Sequence, residues 1–369
     1  MKPAMRLSQG TGSAAEIAAL PPSREEILGW LQEENEARLE DLWRQADTVR
    51  RRSVGDAVHL RGLIEVSNYC IRRCGYCGLR SGNRALERYR MTEEEILACV
   101  EEAVQYRYGT VVLQAGEDYG ITREWLAALV RRIRAETNLA VTLSLGERPD
   151  EDLAAWRRAG ADRYLLRFET SDPELYRVIH PSLPGPSRDR IAILRILRQL
   201  GYETGSGVMI GIPGQSYRSL VNDIDTFRTL DLDMIGVGPY IPHPATPLGR
   251  GDWLRLLPED EQVPNTELMV YKVVALARLV CPEANIPSTT ALATINKKNG
   301  RELGLARGAN VVMPNLTPPA HREKYEIYPG KACINETAEA CRACLRHRIA
   351  ALGRSVGTGP GGRRRTSLL

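Results

Sequence analysis

The chain has 369 residues, enough to bury one barrel-sized core, and its 50 basic and 46 acidic residues leave a formal charge of only +4. That balance argues against a dedicated nucleic-acid binder, which needs a basic face and a higher pI. Eight cysteines are too few for a disulfide scaffold at this length, and six of them fall in two tight groups, so metal ligation in a reducing compartment is the better account. No apolar run reaches about 18 residues, and no N-terminal stretch has the charged-then-apolar pattern of a leader. A soluble, cytoplasmic protein without membrane contact is expected.

Residues 1–20 are small and polar and read as a loose arm. Residues 22–49 read as helical, with Ser23 as N-cap ahead of Glu25 and Glu26, then Ile27, Leu28, Leu31, Leu39 and Leu42. From Leu60 the pattern changes to short apolar strands at 60–67, 110–115, 140–145, 162–168, 203–210, 234–239, 286–290 and 310–314. Amphipathic helices separate them. In helix 93–106, Thr92 and Glu95 form a capping box, and Ile96, Cys99, Val100, Ala103 and Val104 make the buried stripe. Helix 216–230 is capped by Ser216 and carries Leu220, Ile224 and Phe227 on one face. The alternation predicts an α/β fold, a complete parallel (β/α)8 barrel of the TIM type. The division is then an N-terminal arm and helix (1–54), the barrel (55–325), a cysteine-bearing C-terminal segment (326–353) and a solvated, disordered Gly- and Arg-rich tail (354–369).

The loop after the first strand carries Cys70, Cys74 and Cys77, spaced C-x3-C-x2-C. In a barrel, chemistry sits at the C-terminal ends of the strands, which is where this loop falls. Three thiolates on one short loop can ligate three irons of a 4Fe-4S cubane and leave the fourth open. An open iron can chelate the amino and carboxylate groups of S-adenosylmethionine and reduce its sulfonium, releasing a 5'-deoxyadenosyl radical. Structural zinc wants four ligands in two pairs instead. The spacing, with Tyr76 just before the third cysteine, is the signature of the radical S-adenosylmethionine superfamily.

In 163–169, period-2 geometry puts Arg163, Leu165, Arg167 and Glu169 on the lumen face and Tyr164, Leu166 and Phe168 toward the helices. Arg167 and Glu169, at the catalytic end, read as ligand-binding groups. Gly116 lets backbone approach a ligand closely, and Glu117 beside it suits an ammonium group. Thr142 and Ser144 place hydroxyls in the lumen. Arg190, in the first turn of a helix after Ser187, opposes the helix dipole and suits a bidentate carboxylate clamp. A second metal group is suggested by Cys333, Cys341 and Cys344, the last two on one helix face with His347 beyond them. Iron–sulfur and zinc are both open there. Cys99 and Cys281 read as core.

Long segments resemble the HydE family, the radical S-adenosylmethionine maturases of FeFe-hydrogenase. They include Cys74-Gly75-Tyr76-Cys77-Gly78-Leu79-Arg80, Val112-Leu113-Gln114-Ala115-Gly116-Glu117-Asp118 and Ile241-Pro242-His243-Pro244. The resemblance implies a 4Fe-4S cluster at the barrel mouth over an internal cavity. It places Thr142, Glu169 and Arg190 on the methionine moiety, with Gln114 and Tyr76 near the cluster and adenosine. Arg167, Thr289, Thr290, Met313, Tyr325 and Tyr328 match cavity-lining, substrate-binding positions. Cys333, Cys341 and Cys344 match an auxiliary iron–sulfur cluster that some members lack.

The implied role is assembly of the two-iron part of the hydrogenase active site from a small organometallic or cysteine-derived substrate. The implied partners are other hydrogenase maturases and an electron donor such as a ferredoxin or flavodoxin. Rival readings are a methylornithine-synthase-like or biotin-synthase-like radical enzyme, and a non-catalytic iron–sulfur scaffold. The scaffold would have no need of Arg167, Glu169 and Arg190 near the open iron.

Overall fold

The computed structural model describes residues 21–183, 189–252, 257–332, 334 and 338–363. The N-terminal helical stretch is two helices, Arg24–Gln32 and Glu36–Val54. Ser23 and Glu26 close a capping box at the first, and Asn35 breaks the run by capping the second through the Arg38 N–H.

Eight strands follow: β1 (Ala57–Ser67), β2 (Thr110–Ala115), β3 (Ala140–Ser144), β4 (Arg163–Leu165), β5 (Glu203–Ile210), β6 (Met234–Pro239), β7 (Val311–Val312) and β8 (Ser355–Val356). All paired neighbours are parallel, in the order β6-β5-β4-β3-β2-β1-β7, and β8 joins β1 at Ala57 and Val58. The fold is α/β of the TIM type, but the sheet is curled without a continuous closing ladder. The expected strand 286–290 is absent. One bridge ties Asn285 to Met234 and another ties Pro287 to Val311, so this segment spans the gap between β6 and β7. Pro287 has no N–H to donate, and Thr289 already caps helix Thr290–Ile295.

The helices pack outside. The Thr92–Glu95 capping box and the Ser216 cap form as read, and Leu220, Ile224 and Phe227 are fully buried. In helix Glu93–Gln105, Ile96, Cys99, Val100 and Ala103 are buried with Leu97, whereas Val104 faces solvent. Tyr164, Leu166 and Phe168 point to the helix layer, the last 5.8 Å from the Phe227 ring. Among the described residues, no helix is long and apolar enough to cross a membrane.

The tail departs from the sequence expectation. Residues 354–363 are ordered against the barrel's N-terminal end, and residues 364–369 lie outside the described set. The Gly357 N–H donates to Val58, and the Pro360 carbonyl accepts from Thr110 and from Arg163. The Gly361 carbonyl accepts from Arg61 and Asn285, while Arg363 pairs with Asp231 and Asp233. A Cβ at Gly109 would stand 1.6 Å from the Gly359 oxygen, so this close crossing needs glycine. The composition suggested disorder because it offers little apolar surface. What orders the tail is the need of buried arginines for acceptors.

Candidate active site

The cysteine loop leaves β1 and is tied down on three sides. Ile71 N–H donates to the Glu117 carbonyl at 3.1 Å, Gly75 N–H to Ile179 at 2.7 Å and Gly78 N–H to Ile327 at 3.0 Å. A Cβ on Gly116 would lie 2.3 Å from the Tyr69 oxygen and 2.7 Å from the Cys70 Cβ, so this glycine makes room for the loop itself. The thiols of Cys70, Cys74 and Cys77 line one cavity of about 230 Å3, together with Tyr76, Glu169 and Arg190. Burial pushes all three thiols up, Cys77 to about 12. They are therefore protonated at neutral pH unless a metal takes the protons' place, which is the behaviour of a ligand set.

Beside the thiols lies a buried charge knot that sequence reading only partly found. Arg190 donates through Nε to Glu147 at 2.9 Å, through Nη1 to the Arg167 carbonyl at 2.7 Å and through Nη2 to Glu117 at 3.3 Å. His180 Nε2 lies 2.7 Å from the same Nη2. Burial, then Arg190 and Arg72, lower the His180 pKa to about 2, so the ring is neutral and accepts. Arg72 bridges Glu117 and Glu147, the latter at 2.5 Å. Burial raises the Glu117 pKa while Arg190 opposes the rise. Glu117, Glu147 and His180 converge as metal ligands would, but here two guanidiniums supply the positive charge. The helix cap before Arg190 is Asp189, and Ser187 lies outside the described residues. A guanidinium has five N–H donors, and four of these are engaged by Glu147, Arg167, Glu117 and His180. The bidentate clamp expected of Arg190 is thus unavailable unless a partner lets go.

β4 ends early because the chain turns toward the cavity. Glu169 has φ +62°, the left-handed region that costs a non-glycine residue energy and marks functional sites. Its Oε2 lies 3.0 Å from Arg167, poorly aligned for a hydrogen bond. Arg167 also donates to the Val208 carbonyl at 2.6 Å. It lines both this cavity and a second, inner one of about 230 Å3.

The inner cavity gathers Thr289, Thr290, Met313 and Tyr328 with Arg167, and also Gln114 and Thr142. The group expected around the cofactor is therefore divided. Tyr76, Glu169 and Arg190 line the outer cavity, whereas Gln114 and Thr142 open on the inner one. Tyr325 lines the outer cavity and lies 3.2 Å from Gln114 Nε2. The buried atoms Thr142 Oγ1, Arg61 Nε and Arg167 Nε have no hydrogen-bond partner, and their side chains line the inner cavity. Buried polar atoms are nearly always paired, so these three are exceptions among the described residues. Arg61, its pKa lowered by burial to about 9, and the buried Glu65–Lys331 pair went unread in the sequence. Each faces a partner more than 170 residues away, Met234 for Arg61 and Lys331 for Glu65.

Of the second cysteine group, Cys333 and the Cys341 side chain lie outside the described residues. Cys344 and His347 are exposed on helix Ala338–Ala351. Cys99 and Cys281 are buried core residues.

Residues 64–227 match the model of the Radical SAM superfamily. The "[FeFe] hydrogenase maturase subunit HydE" of Thermotoga maritima is 46% identical over 329 residues, covering 88% of this chain and 89% of that protein. A 3-methylornithine synthase of Methanosarcina barkeri is 31% identical, covering 80% of each. In fold, the crystal structure of methylornithine synthase (PylB) superposes with a TM-score of 0.74 at 24% identity, over 91% of this chain and 94% of that one. Identity that high, over 88% of this chain and 89% of that protein, together with a superfamily match that spans the cysteine loop, shows that the chain belongs to the radical S-adenosylmethionine superfamily and, within it, to the HydE family.

Proposed function

We propose that this enzyme acts in assembly of the two-iron subcluster of FeFe-hydrogenase, with its cofactors in the outer cavity and its substrate in the inner one. The observation that carries this reading is the placement of Arg167, shared by a cavity of thiols and charged groups and a cavity of unpartnered polar atoms. Cys70, Cys74 and Cys77 hold the 4Fe-4S cluster. When bound, the cluster and S-adenosylmethionine together supply one-electron cleavage to a 5'-deoxyadenosyl radical.

The chain's own residues orient and enclose. Glu169, whose carboxylate faces Arg167 at 3.0 Å, would accept from the methionine ammonium. Arg190 offers its remaining N–H to the carboxylate while Glu117, Glu147 and His180 fix its plane. Tyr76 covers the adenosine side. Gln114 and Thr142 act at the junction with the substrate, a small organometallic or cysteine-derived compound bound by Arg167, Thr289, Thr290, Met313, Tyr325 and Tyr328. The segment 324–332, whose Ile327 and Tyr328 line both cavities, is held by Asn68 on the Lys324 carbonyl and by Glu65 on Lys331. Cys333, Cys341 and Cys344 are the ligands of an auxiliary iron–sulfur cluster that the cleavage does not require. The setting is cytoplasmic, among other hydrogenase maturases.

Reduced, reconstituted protein is expected to release 5'-deoxyadenosine and to restore activity to a hydrogenase reporter lacking its own HydE. Replacing any of Cys70, Cys74 or Cys77 with Ala should abolish both, since one lost thiolate leaves the cubane under-ligated. Release without maturation would move the protein to the methylornithine-synthase-like reading. Parent-level release from one such variant would defeat the cluster assignment.

A further inference from the structure

Asp223, on helix Tyr217–Thr229, is a fully buried carboxylate that lines neither cavity, so it meets neither cofactor nor substrate. Its partners are all neutral. Oδ1 accepts from the Ser171 N–H at 2.5 Å, from the Ser171 hydroxyl at 2.6 Å and from the Thr170 hydroxyl at 3.4 Å, and Oδ2 accepts from Gln215 Nε2 at 3.3 Å. Burial raises its pKa to about 7 against the pull of those donors. A buried carboxylate without a cation is costly, and an apolar side chain of that volume would not be. A second cost lies beside it. Glu169, two residues before Ser171, stands at φ +62°, a conformation that persists only where its surroundings over-determine it.

The two costs meet in one ring of hydrogen bonds. The Glu169 N–H donates to the Gly207 carbonyl at 3.1 Å and its carbonyl accepts from the Met209 N–H at 3.1 Å, so β5 grips this residue's main chain on both sides. The Thr170 N–H reaches back to the Phe168 carbonyl at 2.7 Å and closes a tight turn around Glu169. Just beyond the turn, Asp223 takes the Ser171 N–H. Gln215 completes the circuit. Its Nε2 also donates to the Met209 carbonyl at 3.0 Å, and its Oε1 accepts the Gly211 N–H at 2.7 Å. The ring thus runs from Glu169 through Met209, Gln215 and Asp223 to Ser171 and back. Without the Asp223 acceptor, the Ser171 N–H and two hydroxyls lose their partner, and the chain after Glu169 can relax out of the left-handed region. The Glu169 carboxylate lines the outer cavity, so what the ring fixes is its aim.

We propose that Asp223 is a positioning residue: it holds the turn at Glu169 and through it aims the Glu169 carboxylate at the methionine ammonium of the bound cofactor. The inference rests on the ammonium reading of Glu169 above and adds the residue that enforces it. The same loop leads into helix Pro173–Ile179, whose last carbonyl accepts the Gly75 N–H of the cysteine loop. A merely structural Asp223 would therefore disturb the cluster as well as the cofactor, whereas a positioning Asp223 acts on the cofactor alone.

The test uses full-length reconstituted protein with S-adenosylmethionine as probe. It reads cofactor affinity from the perturbed cluster spectrum, together with iron content and amide hydrogen exchange across 168–172. Asp223→Ala should weaken the cofactor about tenfold or more, speed exchange in 168–172, and leave iron content and the cofactor-free cluster spectrum as in the parent. Asp223→Asn, which keeps an oxygen for Ser171, should recover most of both losses. In a Glu169→Gln background, adding Asp223→Ala should weaken the cofactor by less than about twofold more, because its effect passes through Glu169. Should Asp223→Ala fail to fold, Thr170→Val/Ser171→Ala removes two hydroxyl donors from the same carboxylate, and the same pattern is expected at about threefold. Unchanged exchange, additive losses in the Glu169→Gln background, or iron lost along with affinity would each overturn the proposal. If Glu169→Gln alone bound the cofactor as the parent does, the ammonium reading would fail instead, and the exchange result would still decide whether Asp223 holds the turn.

Discussion

The two ends of the barrel meet the same problem in different ways. At each end, arginines held inside the structure need acceptors: the buried Arg190 and half-buried Arg72 at the cysteine end, the buried Arg61 and Arg163 at the other. At the lower end the acceptors are chiefly main-chain carbonyls of the tail, at Pro360 and Gly361, and Glu203 completes Arg163. Carbonyls carry no net charge and cannot be displaced without unthreading the tail, so that end is sealed. At the upper end the acceptors are the carboxylates Glu117, Glu147 and Glu169, set beside thiols and a neutral histidine. Carboxylates can exchange one cation for another, so that end can receive a charged ligand without leaving a buried charge unpaired.

Removing Arg190 should have the largest effect. Arg190→Met leaves Glu117 and Glu147 sharing Arg72 alone, and it removes the donor proposed for the cofactor carboxylate. Loss of one partner of a buried charge-assisted bond costs about 2–5 kcal/mol, or roughly thirty- to several-thousand-fold in dissociation constant. Titration of S-adenosylmethionine against the perturbed cluster spectrum reads this directly, and an affinity within threefold of the parent would show that the knot is structural only.

Truncation after Val356 tests the lower end. Arg61, Arg163 and Asn285 would lose their tail acceptors. Each buried group left unsatisfied costs about 1–3 kcal/mol, and water entering the opened end offsets part of that, so a stability loss of about 2–4 kcal/mol is expected by urea unfolding. Cleavage of S-adenosylmethionine should stay within a few-fold. If cleavage collapsed in a protein that remained folded, the two ends would be coupled and the division between a sealed end and an exchanging end would fall.

His180 gives a smaller, pH-dependent signature. Its folded-state pKa lies below the unfolded value, so its contribution is present above about pH 6.5 and is lost as pH falls toward 2. The slope is at most about 1.4 kcal/mol per pH unit in that window, giving about 2 kcal/mol between pH 6.5 and 5. Glu117, raised by burial, acts in the opposite sense, so the comparison must be made against His180→Gln, which keeps an acceptor for Arg190 but does not titrate. Parent stability should fall more steeply than that of the variant below pH 6.5, and equal slopes would place the titration elsewhere.

What was legible in the sequence was local. The apolar runs located β1, β2, β3, β5 and β6 closely, and the Thr92–Glu95 and Ser216 caps lie within single turns. The cysteine spacing announced its own chemistry for the same reason. The early end of β4 was hidden because period-2 alternation continues through 163–169 although Glu169 adopts φ +62°. Glu147, His180 and Arg72 were missed because each is an ordinary polar residue whose meaning comes from Arg190, distant in the chain. The tail was misread because composition reports apolar burial and says nothing of carbonyls offered to arginines elsewhere.

Arg167→Met should cause the smallest change in cofactor affinity. Arg167 faces Glu169 at 3.0 Å from a position lining both cavities, and its Nε has no partner. Removing it takes away the cation that Glu169 holds before ligand binds. It leaves the carboxylate, the Arg190 contacts and the thiols in place, because Arg190 bonds the Arg167 main chain and not its side chain. The methionine ammonium would then meet a Glu169 with no guanidinium to displace, which favours binding, while the loss of preorganisation opposes it. These terms act on the same carboxylate with opposite signs, so cofactor affinity should stay within about threefold, below 1 kcal/mol. The inner cavity fares differently. It loses the half-buried cation proposed to meet an anionic substrate and keeps Arg61 at its far end, so maturation of a hydrogenase reporter should be crippled while 5'-deoxyadenosine release persists. A weakening of the cofactor by Arg167→Met as large as that from Arg190→Met would assign Arg167 to the cofactor site and remove it from the substrate-binding set proposed for the inner cavity.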